Sequence, residues 1–195
     1  LYVSEDSALR LLTRDSLRCC IVTRKLNANE LAMVEGHTLG AKQALIATDA
    51  IALVVNKANK DSLITVDEVK QIMQGKITKW EQLKHHSRTG NLGIVFDHSG
   101  SSTVRYMRDS LCDGRPLAGP VYASEKGTNL NVLEMVKNNP NVIGVVGTNW
   151  LKGNADSPLA NFDSLDVNVM RVAKTEDDLF VRPFQYYIAT GDYPL

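Results

Sequence analysis

The residues best placed to do chemistry lie in Ile94-Val-Phe-Asp-His-Ser-Gly-Ser-Ser-Thr-Val-Arg-Tyr-Met-Arg108. An apolar run ends at Phe96, a small polar loop follows, and apolar residues at helical spacing (Val104, Met107, Leu111) begin after Ser101. The first turn of a helix leaves backbone N–H groups without intrahelical partners and carries partial positive charge. Hydroxyls at Ser101, Ser102 and Thr103 add neutral donors, and Arg105 adds a full charge. That combination suits a tetrahedral oxyanion. The plainer reading, in which Ser101 or Ser102 only caps the helix, stays open on this segment alone.

A second candidate is Ile21-Val-Thr-Arg-Lys-Leu26. A strand ending at Val22 would deliver Thr23 and Arg24 to its carboxyl end, where ligands of open α/β sheets sit. Arg24 could grip an oxyanion with two parallel hydrogen bonds, or simply be solvated at a strand end.

Other patterns fail on spacing. Gly36-His-Thr-Leu-Gly-Ala-Lys-Gln43 lacks the glycine spacing and the hydroxyl residue of a phosphate-cradling P-loop. His85 and His86 are adjacent, and Cys112 is distant in sequence, which does not suit zinc. Asp97-His98-Ser99-Gly100-Ser101 is not a nucleophile elbow. No paired carboxylates or nucleophile–base pairs stand at suggestive spacing, so an enzyme is not expected, and no cofactor is implied. Trp80, Tyr106, Trp150, Tyr186 and Tyr187 do not interleave with basic residues, so nucleic acid is not an expected partner.

The elements that must position these residues alternate. Helices are expected over 7–13, from the capping box Asn27-Ala-Asn-Glu30 to Gly36, from the capping box Thr65-Val-Asp-Glu68 to Gly75, over 101–111 and over 131–137. A short helical turn over 78–83 carries Trp80. Strands are expected over 18–22, 43–47, 51–56, 92–96, 142–147, 167–172 and 184–189. This alternation predicts crossover units and a largely parallel sheet.

Composition bounds the rest. The chain has 195 residues, 44% of them hydrophobic, so it can bury a real core in one domain or two small ones. Lys plus Arg and Asp plus Glu are 22 each, so anion capture must depend on local groups rather than a basic surface. The longest uncharged apolar run, Ala50 to Val55, is far short of a membrane span. Three cysteines (Cys19, Cys20, Cys112) do not make a disulfide framework and read as small apolar residues.

Four stretches carry a resemblance. Ile21 to Ala32 (IVTRKLNANELA) is similar to a strand, polar corner and "L-x-x-E-E" helix. Ala47 to Asn56 (ATDAIALVVN) resembles a "D-G-I-A-V-I-V-N" crossing strand. Leu63 to Leu83 (LITVDEVKQIMQGKITKWEQL) matches "L-T-x-x-q-l-x-x-I-F-x-G-k-I-t-x-W-x-x-L" and is the most specific. Pro140 to Gly147 (PNVIGVVG) resembles "p-G-a-I-G-Y-v-g". In this order they resemble the solute-binding proteins of ABC-type phosphate importers.

The resemblance implies an α/β, two-lobed type II periplasmic-binding-protein-like fold, with mixed sheets flanked by helices. It implies an incomplete first lobe (1–50 and 172–195) and a second lobe (51–171), in a chain cut from a longer protein. It implies phosphate as ligand, a membrane permease as partner, no catalysis, and a periplasmic or extracytoplasmic location that admits a lipid anchor in the full-length protein. The family's Ser-Gly-Thr loop falls on Ser101, Ser102 and Thr103, and its first-lobe acceptor falls on Thr23. The family's loop Arg, four positions before the Ser, is replaced by Asp97. The cation would then come from Arg24 or Arg105, and Asp97 could accept the proton of a monohydrogen phosphate. The alternatives are another oxyanion or small organic anion in the same fold, or a sensory or scaffold module.

Overall fold

The computed structural model describes residues 3–37, 40–60, 62–151 and 162–195. They form two compact units, Leu1–Ala47 and Thr48–Leu195.

Among its described residues the first unit has two helices, and the remainder has no regular secondary structure. Helix α1 (Glu5–Thr13) is capped by Ser4, whose hydroxyl accepts from the Ser7 N–H. Helix α2 (Ala28–Glu35) opens on the expected capping box: Asn27 Oδ1 accepts from the Glu30 N–H, and Glu30 Oε2 accepts from the Asn27 N–H, both at 2.9 Å. It stops at Gly36. The expected strands over 18–22 and 43–47 do not form. Among the described residues neither segment pairs with a neighbouring strand, and β-propensity without a pairing partner makes no sheet. Ile21, Leu45 and Ile46 accordingly remain exposed.

The second unit holds a five-stranded sheet and a two-stranded ladder. The sheet comprises β1 (Ile51–Asn56), β3 (Gly93–Phe96), β4 (Val121–Ala123), β5 (Val142–Gly147) and β6 (Val167–Val169), in the order β4-β3-β5-β1-β6. Strand β3 runs parallel to β4 and β5, whereas β1 runs antiparallel to β5 and β6. The sheet is therefore mixed, as the family resemblance implies, and not largely parallel as alternation alone suggests. The ladder pairs β2 (Leu63–Thr65) with β7 (Arg171–Ala173), in parallel.

Both sheet faces are covered, which explains the unbroken apolar runs IALVV and VIGVV. Leu53, Val55, Ile94, Phe96, Ile143 and Val145 share one core with helix α3 (Val66–Met73) and Trp80. Ala52, Val54, Val95 and Val146 share the other with Val132 and Val136 of helix α5 (Asn129–Asn138). Helix α5 crosses where β5 has no side chain. A Cβ on Gly144 would lie 2.6 Å from Val136 Cγ2 and 2.9 Å from Val132 Cγ1. The segment 63–83 folds as its motif implies. Thr65 and Glu68 form a capping box at α3, Gly75 adopts φ +74° beyond its end, and Trp80 is fully buried in a 3-10 turn, Trp80–Gln82.

Two further expectations need correction. The run 167–172 breaks at the fully buried Met170, passing from the large sheet to the ladder as β6 and β7. Residues 184–189 are helical, not extended: helix α6 (Gln185–Thr190) ends where Gly191 takes the left-handed conformation, φ +79°. Residues 172–195, expected with the first lobe, group with the second unit. Val181 bridges to Val172, and the buried Tyr193 hydroxyl donates to the Ile51 carbonyl at 2.8 Å.

Candidate functional site

Strand β3 ends at Phe96 and delivers Asp97 to its carboxyl end. The turn His98–Ser101 closes with the Ser101 N–H donating to the His98 carbonyl at 3.1 Å. Helix α4 (Ser102–Tyr106) then starts, and a π-helical turn (Met107–Leu111) continues it, so the helical segment runs from 102 to 111. Met107 and Leu111 are buried and fix it to the core.

Ser101 is the N-cap: its Oγ accepts from the Val104 N–H at 3.3 Å, and its carbonyl accepts from the Arg105 N–H at 3.0 Å. The plainer reading of Ser101 is thus observed. It leaves the N–H groups of Ser102 and Thr103 without an acceptor among the described residues. Ser102 is exposed and Thr103 half-buried. These two open donors at the positive end of a helix are what a bound anion requires.

Asp97 sits beside them and is 8% exposed. Its Oδ1 accepts from Thr103 Oγ1 at 3.3 Å, and its Oδ2 accepts from Asn129 Nδ2 at 3.4 Å. Both bonds are long. Thr103 Oγ1 also lies 2.8 Å from Ser101 Oγ. His98 Nε2 stands 4.0 Å from Asp97 Oδ2. Ser124 anchors the loop from below: its N–H and Oγ donate to the Asp97 carbonyl at 3.2 and 2.9 Å.

Asn129 was invisible to sequence reasoning. It is the first residue of α5, next to the N-cap Thr128, and it faces Asp97 only because β4 lies beside β3. Its Oδ1 is buried without a partner. No short-range motif joins residues 97 and 129. Arg105 is half-buried, and burial lowers its pKa, with Asp109 opposing the shift, yet it remains a cation.

Thr23 and Arg24 lie in the first unit. Both the N–H and the Oγ1 of Thr23 donate to Glu5 Oε1, at 2.6 and 3.0 Å. Arg24 makes a two-pronged pair with Glu30, Nη1 to Oε2 at 2.7 Å and Nη2 to Oε1 at 2.8 Å. That bonding, above all, holds the Glu30 carboxyl below its ordinary range. Both residues are therefore already engaged by carboxylates of the first unit.

Among the described residues, no group of three or more His, Cys, Asp or Glu side chains could hold a metal, and no helix is long and apolar enough to cross a membrane.

A sequence profile of the PBP superfamily domain matches residues 2–195. A curated relative, Phosphate-binding protein PstS 2 of Streptococcus agalactiae, is 50% identical over 44 residues, which is 23% of this chain and 15% of that protein. A second, of the same name from Streptococcus pneumoniae, is 39% identical over 57 residues, covering 29% of this chain and 19% of that protein. The matched stretches thus span less than a fifth of either relative. Among solved structures, an ABC-type phosphate transport receptor from Vibrio cholerae superposes with a TM-score of 0.67 at 19% identity, over 98% of this chain and 68% of that one. A possible phosphate-binding protein from Planctomyces limnophilus gives 0.67 at 16% identity, over 96% and 63%. A phosphate-bound substrate-binding protein from Clostridium perfringens gives 0.63 at 19% identity, over 97% and 67%. At these identities the structures establish the shared fold.

Proposed function

Because this chain belongs to the PBP superfamily, whose domain profile spans residues 2–195, we propose that it binds inorganic phosphate, as part of the extracytoplasmic solute-binding component of an ABC-type importer. The names of the Streptococcus and Vibrio relatives support that reading. The observation that carries it is the pair of open N–H groups at Ser102 and Thr103, beside a buried carboxylate.

The chemistry is capture without bond making. The two N–H groups and the Ser102 hydroxyl donate to oxyanion oxygens, while the Thr103 hydroxyl holds Asp97, and Arg105 supplies nearby positive charge. Bonds to a charged acceptor are the strong ones, and exclusion of water strengthens them. Asp97 sets the protonation state of the ligand. A fully ionised oxyanion is repelled by it, whereas monohydrogen phosphate has an O–H to donate to it and sulfate has none. Within the first unit by itself, Thr23 and Arg24 are proposed as oxyanion-binding groups, with Arg24 exchanging Glu30 for the anion. A ligand that binds one conformation better than another shifts the population, and that shift is what a membrane permease would read.

Calorimetry of the chain against phosphate and sulfate tests this, with Ser102→Pro as the diagnostic variant. Proline is tolerated at the first helical position, and Ser101 already has the extended backbone that precedes a proline (φ −75°, ψ 159°). The substitution deletes both Ser102 donors, the N–H and the hydroxyl, and keeps the helix. Phosphate affinity is expected to fall about a hundredfold, the loss of two charge-assisted bonds. An unchanged affinity in a folded variant would remove Ser102 from the site, and no phosphate binding by the parent chain would overturn the reading.

A further inference from the structure

The anion site leaves one reactive pair unused. Cys19 and Cys20 are consecutive, free thiols; Cys19 is exposed and Cys20 half-exposed, unlike Cys112, which is 1% exposed. They are therefore not the buried apolar fillers their composition suggests. The backbone of Cys19–Val22 makes no hydrogen bond among the described residues.

We propose that Cys19 and Cys20 form a vicinal dithiol site for a monosubstituted trivalent arsenical. Softness selects the class, since thiols prefer soft centres over hard cations. Ligand number narrows it. A structural zinc needs four ligands, and no set of even three metal-binding side chains occurs among the described residues. A trivalent arsenic that brings its own carbon substituent needs only two sulfurs, and consecutive cysteines supply both in a single nine-membered ring.

Consecutive Cα atoms are about 3.8 Å apart, but extended backbone sends neighbouring side chains to opposite sides. Both sulfurs reach one centre only if the local backbone rotates. A segment in no ladder can do so without breaking a hydrogen bond, which a true strand over 18–22 would forbid. Burial, and then the neighbouring Cys19, raise the pKa of Cys20, so it stays protonated at neutral pH. The step tolerates this. Each S–H gives its proton to an arsenic-bound hydroxide, water leaves, and an S–As bond replaces an As–O bond. Two thiols and R–As(OH)2 give the cyclic dithioarsinite and two waters, with arsenic trivalent throughout.

The test treats the reduced chain with phenylarsine oxide, washes it with excess glutathione, and reads intact mass and free thiols. The parent protein is expected to keep one adduct and lose two titratable thiols, and a competing dithiol should reverse both. Cys112→Ser should behave like the parent, while Cys19→Ser and Cys20→Ser should each lose the adduct in the glutathione wash. An adduct that survives in the Cys19→Ser/Cys20→Ser double variant, or a parent adduct stripped by glutathione, would overturn the proposal. These readouts do not depend on phosphate binding, so the two readings fail independently.

Discussion

Thr103 Oγ1 donates to Asp97 Oδ1 at 3.3 Å, while the Thr103 N–H donates to no described group. One residue thus holds an internal carboxylate with its side chain and keeps its backbone donor open. The internal carboxylate stands next to these backbone donors without occupying them. In the proposed phosphate reading, Asp97 acts as a filter on the protonation state of the ligand. Asp97→Asn removes the charge and retains a similar shape. Phosphate-over-sulfate preference is expected to fall about tenfold, roughly 1.4 kcal/mol of differential binding. Competition calorimetry checks it, and an unchanged preference sinks the role assigned to Asp97.

Arg24 is the first-unit cation proposed to bind an oxyanion. Arg24→Lys keeps the charge but loses the planar fork, so phosphate affinity should drop several-fold or more. Should calorimetry find parental affinity in both Arg24→Lys and Arg24→Ala, Arg24 is only a partner of Glu30.

Glu30 gives the first unit a pH signature. Its carboxyl pKa is lowered, chiefly by the Arg24 bonds, so the folded form binds a proton less readily than the unfolded chain. The stabilisation is complete above the unfolded value of about 4.3 and is lost as pH falls through the lower folded value. Amide protection factors in α2 should fall on acidification below about pH 4. Glu30→Gln should flatten that dependence at uniformly lower protection.

The α3 start tests the motif that carries most of the resemblance. Thr65 is 4% exposed, its Oγ1 accepts from the Glu68 N–H at 3.2 Å, and Glu68 Oε2 accepts from the Thr65 N–H at 2.9 Å. Thr65→Ala should cost about 1 kcal/mol in urea unfolding, and Thr65→Ser much less. Equal losses would point to the methyl group rather than the cap.

Gly144 tests packing of α5 on the sheet. Gly144→Val places carbon where Val136, Val132 and Val54 already stand within 2.9 Å. A loss of about 1–3 kcal/mol is expected, with the α5 amides losing protection first. A neutral result would show that α5 can lift off at no cost.

The sequence by itself determined the local structure. Both capping boxes, the C-terminal glycine beyond α3, the Trp80 turn and the buried runs of β1 and β5 follow from short-range rules, because each is settled within a few residues. The N-cap at Ser101 was legible for the same reason. Pairing was not. Segments 18–22 and 43–47 have strand composition but no strand partner among the described residues, and 184–189 is rich in aromatic residues yet winds into α6. Whether an apolar segment ladders or coils depends on which backbone lies beside it, and that is a long-range property. The site divides in the same way. The helix start at Ser101 was written locally, whereas only the placement of β4 beside β3 set Asn129 against Asp97. The engagement of Arg24 by Glu30 lies between these limits: six residues separate them, and the α2 capping box already turns the Glu30 carboxylate back toward the chain that carries Arg24.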